Sequence, residues 1–91
     1  MPYTVLIDPR AARELEALPA KIRAQVDARI LALAENPTPP GMKILQGPKG
    51  HRYHRIRSGE YRILYRVEAR RLVVLVVRVA HRREVYWNLP G

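Results

Sequence analysis

The first third of the chain places hydrophobic residues at helical spacing, between a strand-like start and a proline-rich break. Residues 3–7 have strand composition. Asp8 followed by Pro9 is typical of a helix start, with Asp as the N-cap and Pro in the first turn. Hydrophobic residues then follow at i, i+4 and i+7, as Ala11, Leu15 and Leu18. Pro19 ends this helix, and the helical period resumes after it. Residues 8–35 are therefore predicted to form a hairpin of two amphipathic helices.

The second half of the chain has the composition and spacing of β-strands. Residues 36–41, Asn-Pro-Thr-Pro-Pro-Gly, cannot continue a helix and are predicted to form a rigid connector. The predicted strands that follow are a short, weak one at 43–45, which can merge into the next, and longer ones at 52–57, 61–67 and 72–79. The last strand is apolar at consecutive positions, as expected of a strand covered on both faces.

Together these elements predict a single domain spanning residues 1–91, because a chain of 91 residues is enough for one domain and not for two. The expected class is α+β, in the order β-α-α-β-β-β. In this prediction the N-terminal strand joins a mostly antiparallel, four-stranded sheet, and the helical hairpin packs on one face of that sheet.

Three arginines fall on one face of the predicted hairpin around residues 58–60. Side chains alternate along a strand, so Arg55 and Arg57 share a face. A two-residue turn at Ser58 and Gly59 pairs Arg55 with Arg62, whereas a four-residue loop pairs Arg57 with Arg62. With either loop the three side chains share one face, called here the arginine face. Like charges opposite each other on a sheet repel, so this pattern indicates an anion-binding surface.

The end of the last predicted strand contributes further candidates. Antiparallel pairing brings it beside the start of strand 61–67, which places Arg82 near Arg62 and the hairpin. Unbroken alternation along the last strand predicts that His81 lies on the arginine face. Tyr86, four residues beyond Arg82, can fold over the same edge. The expected surface is a concave cationic face with a histidine and a tyrosine at hand.

Composition narrows the classes of function. The chain has 17 Lys and Arg against 8 Asp and Glu, a net charge of +9, which favours nucleic acid or an acidic protein as partner over a surface tuned only for solubility. The absence of cysteine excludes disulfides, thiolate nucleophiles and Cys-ligated zinc, and three histidines without clustered carboxylates predict no metal site. Without a secretory signal or a membrane-spanning apolar run, a cytoplasmic protein is expected.

Three strings in the second half resemble a known family. They are Tyr-Arg-Ile-Leu-Tyr at residues 61–65, the valine-rich run at 72–79, and Val-Ala-His-Arg-Arg-Glu-Val-Tyr at 79–86. With the order of elements, they resemble the RelE/ParE superfamily of bacterial type II toxins over nearly the full length, and the last string favours the RelE side. The resemblance implies a compact ribonuclease that enters the ribosomal A site and cuts mRNA without a metal or other cofactor. It also implies an antitoxin partner that covers the active face.

The resemblance implies roles for individual residues. Arg62 matches the family's phosphate-binding arginine, Arg82 matches the arginine after the last strand, and Tyr86 matches the tyrosine that orients or stacks the substrate. Arg55 and Tyr53 fall where the best-known members carry lysines with catalytic roles, so the general base stays open. Tyr53 is interpreted as either an RNA contact or a core residue.

Cleavage of this kind uses the ribose 2′-OH as nucleophile, and it needs a base, cations for the developing phosphorane, and an acid for the leaving oxygen. An arginine side chain cannot ordinarily serve as the base, because it does not give up the proton that it already carries. The candidates for proton transfer are His81 and Tyr86, with His54 as a third.

Two further points stay open in the sequence. Lys21, Arg23 and Arg29 lie on polar helix faces, predicted to be away from the arginine face, and are interpreted either as ribosomal-RNA contacts or as a solvated surface. The alternative functions are a ParE-like, gyrase-directed toxin, a degenerate toxin-fold protein that acts by binding alone, and a plain RNA-binding module.

Overall fold

The computed structural model describes residues 2–82, arranged as two helices and a five-stranded mixed sheet. The elements are β1 (Thr4–Ile7), α1 (Pro9–Glu16), α2 (Ala20–Ala32), β2 (Lys43–Gln46), a 3-10 turn (Pro48–Gly50), β3 (Arg52–Ser58), β4 (Tyr61–Glu68) and β5 (Val73–His81). The sheet order is β1-β5-β4-β3-β2, with β1 parallel to β5 and the other pairs antiparallel. The predicted α+β class, with both helices on one face of a mostly antiparallel sheet, is confirmed.

The predicted count of four strands is one too low. Residues Lys43–Gln46 form a separate strand, β2, which pairs antiparallel with β3 from Lys43↔Arg55 to Gln46↔Arg52. The Gly47 N–H donates to the His51 carbonyl at 2.7 Å and closes the loop between the two strands. A strand of four residues carries too little hydrophobic alternation to be separated from its neighbour by sequence pattern alone.

Local signals at the helix ends act as the sequence predicts. The Asp8 carboxylate accepts the Arg10 N–H at 2.9 Å, so it satisfies one of the backbone donors at the start of α1. Pro9 occupies the first turn, where its missing N–H costs nothing. The second helix begins after Pro19, and no side chain caps its start. The burial of Val26 and Ile30 stabilises this helix instead.

The sheet carries a hydrophobic core on each face. On the face that packs against α1 and α2, called here the helix face, the buried sheet residues are Ile56, Ile63, Tyr65, Val74, Val76 and Val79. On the opposite face a smaller core contains Tyr53, Leu64, Val77 and Ala80, with Leu45 and Leu75 packed beside them. β5 therefore buries residues on both faces, as its unbroken apolar sequence predicts.

A β-bulge in β5 ties the first helix to the sheet. Leu64 pairs with Arg78 but the next residue, Tyr65, pairs with Val76, so Val77 is the extra residue. Beyond the bulge Arg78 turns toward α1, where its Nη2 lies 2.9 Å from a Glu14 carboxylate oxygen. The Val79 N–H donates to the other oxygen of Glu14 at 2.8 Å. One carboxylate thus serves both a buried guanidinium and a backbone donor.

None of the helices within residues 2–82 is long and apolar enough to cross a membrane.

Candidate nucleic-acid interface

The arginine face is the sheet face turned away from the two helices. Arg57 on β3 lies directly opposite Arg62 on β4, and Arg55 lies opposite Leu64. The ladder closes at Ser58↔Tyr61 around Gly59, whose φ of 58° suits the left-handed turn position. The prediction that Arg55, Arg57 and Arg62 share a face is confirmed. The observed register pairs Arg57 with Arg62, through a two-residue loop of Gly59 and Glu60 and not through the four-residue loop considered in the sequence.

Arg62 and Arg82 meet at the end of this face, as predicted from antiparallel order. The Arg62 Nη1 donates to the Arg82 carbonyl at 2.8 Å, which fixes the position of the Arg62 guanidinium. The Arg82 backbone N–H donates to the Glu60 carbonyl at 2.8 Å, and its guanidinium Nε lies 3.1 Å from a Glu60 carboxylate oxygen. These two side chains are about half exposed or more, at 51% and 63%, so the ion pair is weak and a phosphate can replace it.

The prediction that His81 lies on the arginine face is wrong. His81 pairs with Tyr61 and meets its ring edge-on, with 5.8 Å between ring centroids. Tyr61 packs against the core of the helix face. The bulge at Val77 adds one residue to β5 and reverses the alternation beyond it, so Ala80 and not His81 takes the position beside Arg62.

Tyr53 lies on the arginine-face side of β3, but its ring is only 1% exposed. It packs in the smaller core with Leu64 and Val77. Gly47 passes so close to the ring that a Cβ at this position would collide with it. Of the two interpretations of Tyr53, the structure favours the core residue over the RNA contact.

His54 lies on the helix face and is likewise away from the arginines. Its ring stacks on Tyr65, with centroids 5.3 Å apart and planes inclined by 26°. Burial, and then the positive charge of Arg52, lower the pKa of His54 below its usual 6.5. Burial raises the pKa of Tyr65 to about 12, against a smaller lowering by Arg29. The Tyr65 hydroxyl donates to the Pro37 carbonyl at 2.7 Å, and this hydrogen bond anchors the connector between α2 and β2.

The lowered pKa of His54 predicts a loss of stability in mild acid. The unfolded chain takes up a proton near the usual pKa of 6.5, whereas the folded chain resists it, so the free energy of unfolding falls as the pH drops below 6.5. We expect the urea midpoint to be lower at about pH 5.5 than at about pH 7.5, and His54→Gln to reduce that difference. His51→Gln, in the loop before β3, is the control. An equal pH dependence in the wild type and His54→Gln would contradict the assignment.

A cavity of about 340 Å³ opens beside the arginine face. The residues described around it are Arg29, Pro40, Gly41, Lys43, Arg55 and Arg57. Arg29 reaches it from α2 and donates from Nε to the Arg57 carbonyl at 3.1 Å. The prediction that Arg29 lies away from the arginine face is therefore wrong. Lys43 was missed because only the pairing of β2 with β3 shows that it lies opposite Arg55.

Three predicted site residues are not among those described along this surface. Lys21 and Arg23 are exposed on α2, and Arg23 forms an ion pair with Asp27 at 3.7 Å. Neither interpretation of these two residues is favoured by these contacts. Tyr86 lies outside the described residues, so its role stays a prediction.

Comparison with known proteins gives consistent matches along the chain. The family described as the ParE toxin of the type II toxin–antitoxin system parDE matches residues 5–86. Toxin RelG of Mycobacterium tuberculosis is 34% identical over 87 residues, covering 94% of this chain and 98% of the relative. The mRNA interferase toxin RelE of Escherichia coli is 31% identical over 88 residues, covering 94% and 92%. The toxin–antitoxin complex RelBE2 of M. tuberculosis contains a chain that superimposes with a TM-score of 0.77 at 33% identity, covering 89% of this chain and 99% of that one.

Proposed function

Because the chain belongs to the RelE/ParE superfamily of type II toxins, we propose that it is an mRNA endoribonuclease that works on the ribosome. The observation that carries the proposal is the cationic arrangement at the end of the arginine face. Arg62 is held by the Arg82 carbonyl and lies directly opposite Arg57 on the neighbouring strand. A guanidinium held in place with a second cation opposite it suits an anion that gains negative charge during a reaction.

The proposed reaction is an internal transfer at one phosphodiester. The ribose 2′ oxygen attacks the neighbouring phosphorus and loses its proton, while the bond from phosphorus to the 5′ oxygen breaks and that oxygen gains a proton. The products are a 2′,3′-cyclic phosphate and a 5′-hydroxyl end. Arg62 and Arg82 stabilise the pentavalent phosphorane. Arg55, which lies on the same face of β3 as Arg57, adds a further positive charge. Guanidinium groups rather than a metal ion carry the charge in this scheme.

The proposed reaction also needs groups that accept and donate a proton. A guanidinium does not ordinarily give up its proton, so we do not assign the base to an arginine. His81 lies on the helix face beside Tyr61, so of the candidates from sequence Tyr86 is the one we assign to the substrate side. A tyrosine is a poor base near neutral pH. A weak base suits an enzyme whose substrate is oriented by a larger machine, since positioning then supplies much of the rate.

We also propose a cognate antitoxin as the resting partner. The solved relative from M. tuberculosis is part of a toxin–antitoxin complex. A chain of net charge +9 favours an acidic segment of such a partner, laid over Arg55, Arg62 and Arg82. The half-exposed Glu60–Arg82 pair is a contact that this segment can displace.

The test is to map mRNA 5′ ends after expression of the toxin without its antitoxin. We expect new 5′ ends inside coding regions, and none in a matched transcript whose start codon has been removed, because cleavage requires an advancing ribosome. The matching family description names a ParE toxin, so gyrase inhibition is the second candidate function. A DNA-damage response without new 5′ ends would favour that candidate and contradict the ribonuclease.

A further inference from the structure

We propose that the cavity beside the arginine face holds a second, non-scissile phosphate of the bound RNA strand, with its sugar. This inference rests on the proposed function, since it adds a binding position to the same surface. The cavity is called here the four-cation pocket, after Arg29, Lys43, Arg55 and Arg57, which are four of the six residues described around it. Of those six residues, none is acidic.

Two of the cations around the pocket are held in place by the fold. Arg55 is only 7% exposed, although it carries a charged guanidinium. Arg29 is fixed by its bond to the Arg57 carbonyl at 3.1 Å, which uses Nε and leaves the two terminal amino groups out of that bond.

The backbone of the connector forms the remaining wall. Gly41 has a φ of 87°, a left-handed conformation that favours glycine, and it turns the chain from Pro40 into β2. A Cβ at Gly41 would meet nothing within 4 Å, so the space beside it is open. The turn brings Lys43 opposite Arg55 across the β2–β3 pair. The first residue of β2 thus adds a fourth cation, Lys43, that the two helices and the β3–β4 hairpin do not supply.

The position of the pocket indicates a neighbouring phosphate of the same strand. Arg57 borders the pocket and also lies directly opposite Arg62. Lys43, Arg55 and Arg62 lie on three successive strands, so the pocket and the scissile position are separated by roughly one or two strand spacings of about 4.8 Å. An RNA backbone that crosses the sheet from Arg62 toward β2 meets the pocket next.

The size of the pocket favours a nucleotide over an acidic side chain. Small-ligand sites have volumes upward of about 300 Å³, and the four-cation pocket, at about 340 Å³, accommodates a phosphate with its sugar. A single carboxylate from a protein partner fills only part of that space. Guanidinium forks also match the oxygens of a phosphate in pairs.

The test is a phosphate-neutralisation scan with the full-length toxin. The probe is a short single-stranded RNA that is 2′-O-methylated throughout and therefore cannot be cleaved. One phosphate at a time is replaced by a neutral methylphosphonate, and affinity is measured by fluorescence anisotropy. In the wild type we expect two sensitive positions, one for Arg62 and one for the pocket. Lys43→Gln should abolish the sensitivity at the second position alone, and Arg62→Ala at the first alone.

Lys43→Gln should weaken binding of the unmodified probe roughly tenfold, as expected for loss of a charged hydrogen bond. It should reduce the slope of log affinity against log salt by about 0.7, the value for one phosphate contact on a single strand. Arg70→Gln, an exposed arginine in the β4–β5 turn, is the matched control and should change neither quantity by a comparable amount.

The outcomes separate failure of the pocket proposal from failure of the proposed ribonuclease. If Lys43→Gln leaves both sensitive positions intact, the pocket does not hold an RNA phosphate. If Lys43→Gln weakens antitoxin affinity and leaves the scan unchanged, the occupant is an acidic segment of protein. Because the scan measures binding of an uncleavable strand, two sensitive positions combined with no mRNA cleavage in cells would overturn the proposed ribonuclease and leave the pocket in place.

Discussion

Glu14→Leu should lower the free energy of unfolding by about 3 to 5 kcal/mol, the usual cost of leaving a buried charge without its partner. Arg78 is only 5% exposed. The Glu14 carboxylate pairs with the Arg78 guanidinium and also accepts a hydrogen bond from the Val79 N–H. A leucine at residue 14 would leave the guanidinium and the backbone donor without that acceptor. For a chain of 91 residues the total stability is about 5 to 14 kcal/mol, so the loss is a large fraction of it.

The measurement is urea unfolding followed by circular dichroism, with Glu16→Leu as the control. Glu16 is exposed on the same helix, and its replacement should change the stability by only about 0.5 kcal/mol. The double variant Glu14→Leu with Arg78→Leu should recover much of the loss, because the buried charge is gone. It should not recover all of it, since Val79 still lacks the carboxylate acceptor. A double variant as unstable as Glu14→Leu would show that the buried charge is not the cause.

Arg62→Ala should reduce the rate of mRNA cleavage on the ribosome by about 10² to 10³, while the protein stays folded. The estimate follows from the loss of one preorganised donor to a transition-state oxyanion, which costs about 2.7 to 4 kcal/mol. The structural cost is smaller, because the substitution removes one hydrogen bond to the Arg82 carbonyl, worth about 1 kcal/mol. Activity and stability should therefore separate clearly.

Single-turnover cleavage on programmed ribosomes measures this effect. Arg66→Ala is the matched control, because Arg66 lies on the same strand and the same face but opposite Leu75, away from Arg82. Arg62→Lys keeps the charge and loses the planar fork, so it should fall between the wild type and Arg62→Ala. Equal losses in Arg62→Ala and Arg66→Ala would mean that general positive charge, and not a positioned guanidinium, supports cleavage.

The parts of the fold that depend on local pattern could be predicted from the sequence. The helix start at Asp8 and Pro9 follows from backbone chemistry within one turn, and the structure shows the expected cap. The shared face of Arg55 and Arg62 follows from alternation across a tight hairpin, because any even loop gives the same result. Patterns of this kind depend on residues that are close in sequence, so contacts formed elsewhere in the fold do not change them.

The features that could not be predicted depend on residues far apart in the chain. The bulge at Val77 reverses the alternation for His81, and a strand that is apolar on both faces gives no sign of where an extra residue lies. Tyr53 is buried because Gly47 leaves room for its ring, which only the β2–β3 pairing shows. Arg29 looks like any exposed helix residue until α2 is placed beside the end of β3.

The pairing of β1 with β5 has a consequence for how the protein is made. Thr4 is aligned with Val73, so the first strand must wait for 69 further residues before its neighbour exists. At about 5 to 20 residues per second, that wait is roughly 3 to 14 s of translation. Glu14 waits for 64 further residues, from residue 14 to residue 78, before Arg78 exists, and Arg82 follows directly after β5. The nascent chain therefore completes its sheet only when β5 and the following Arg82 have been made, and a chain interrupted before residue 73 has neither.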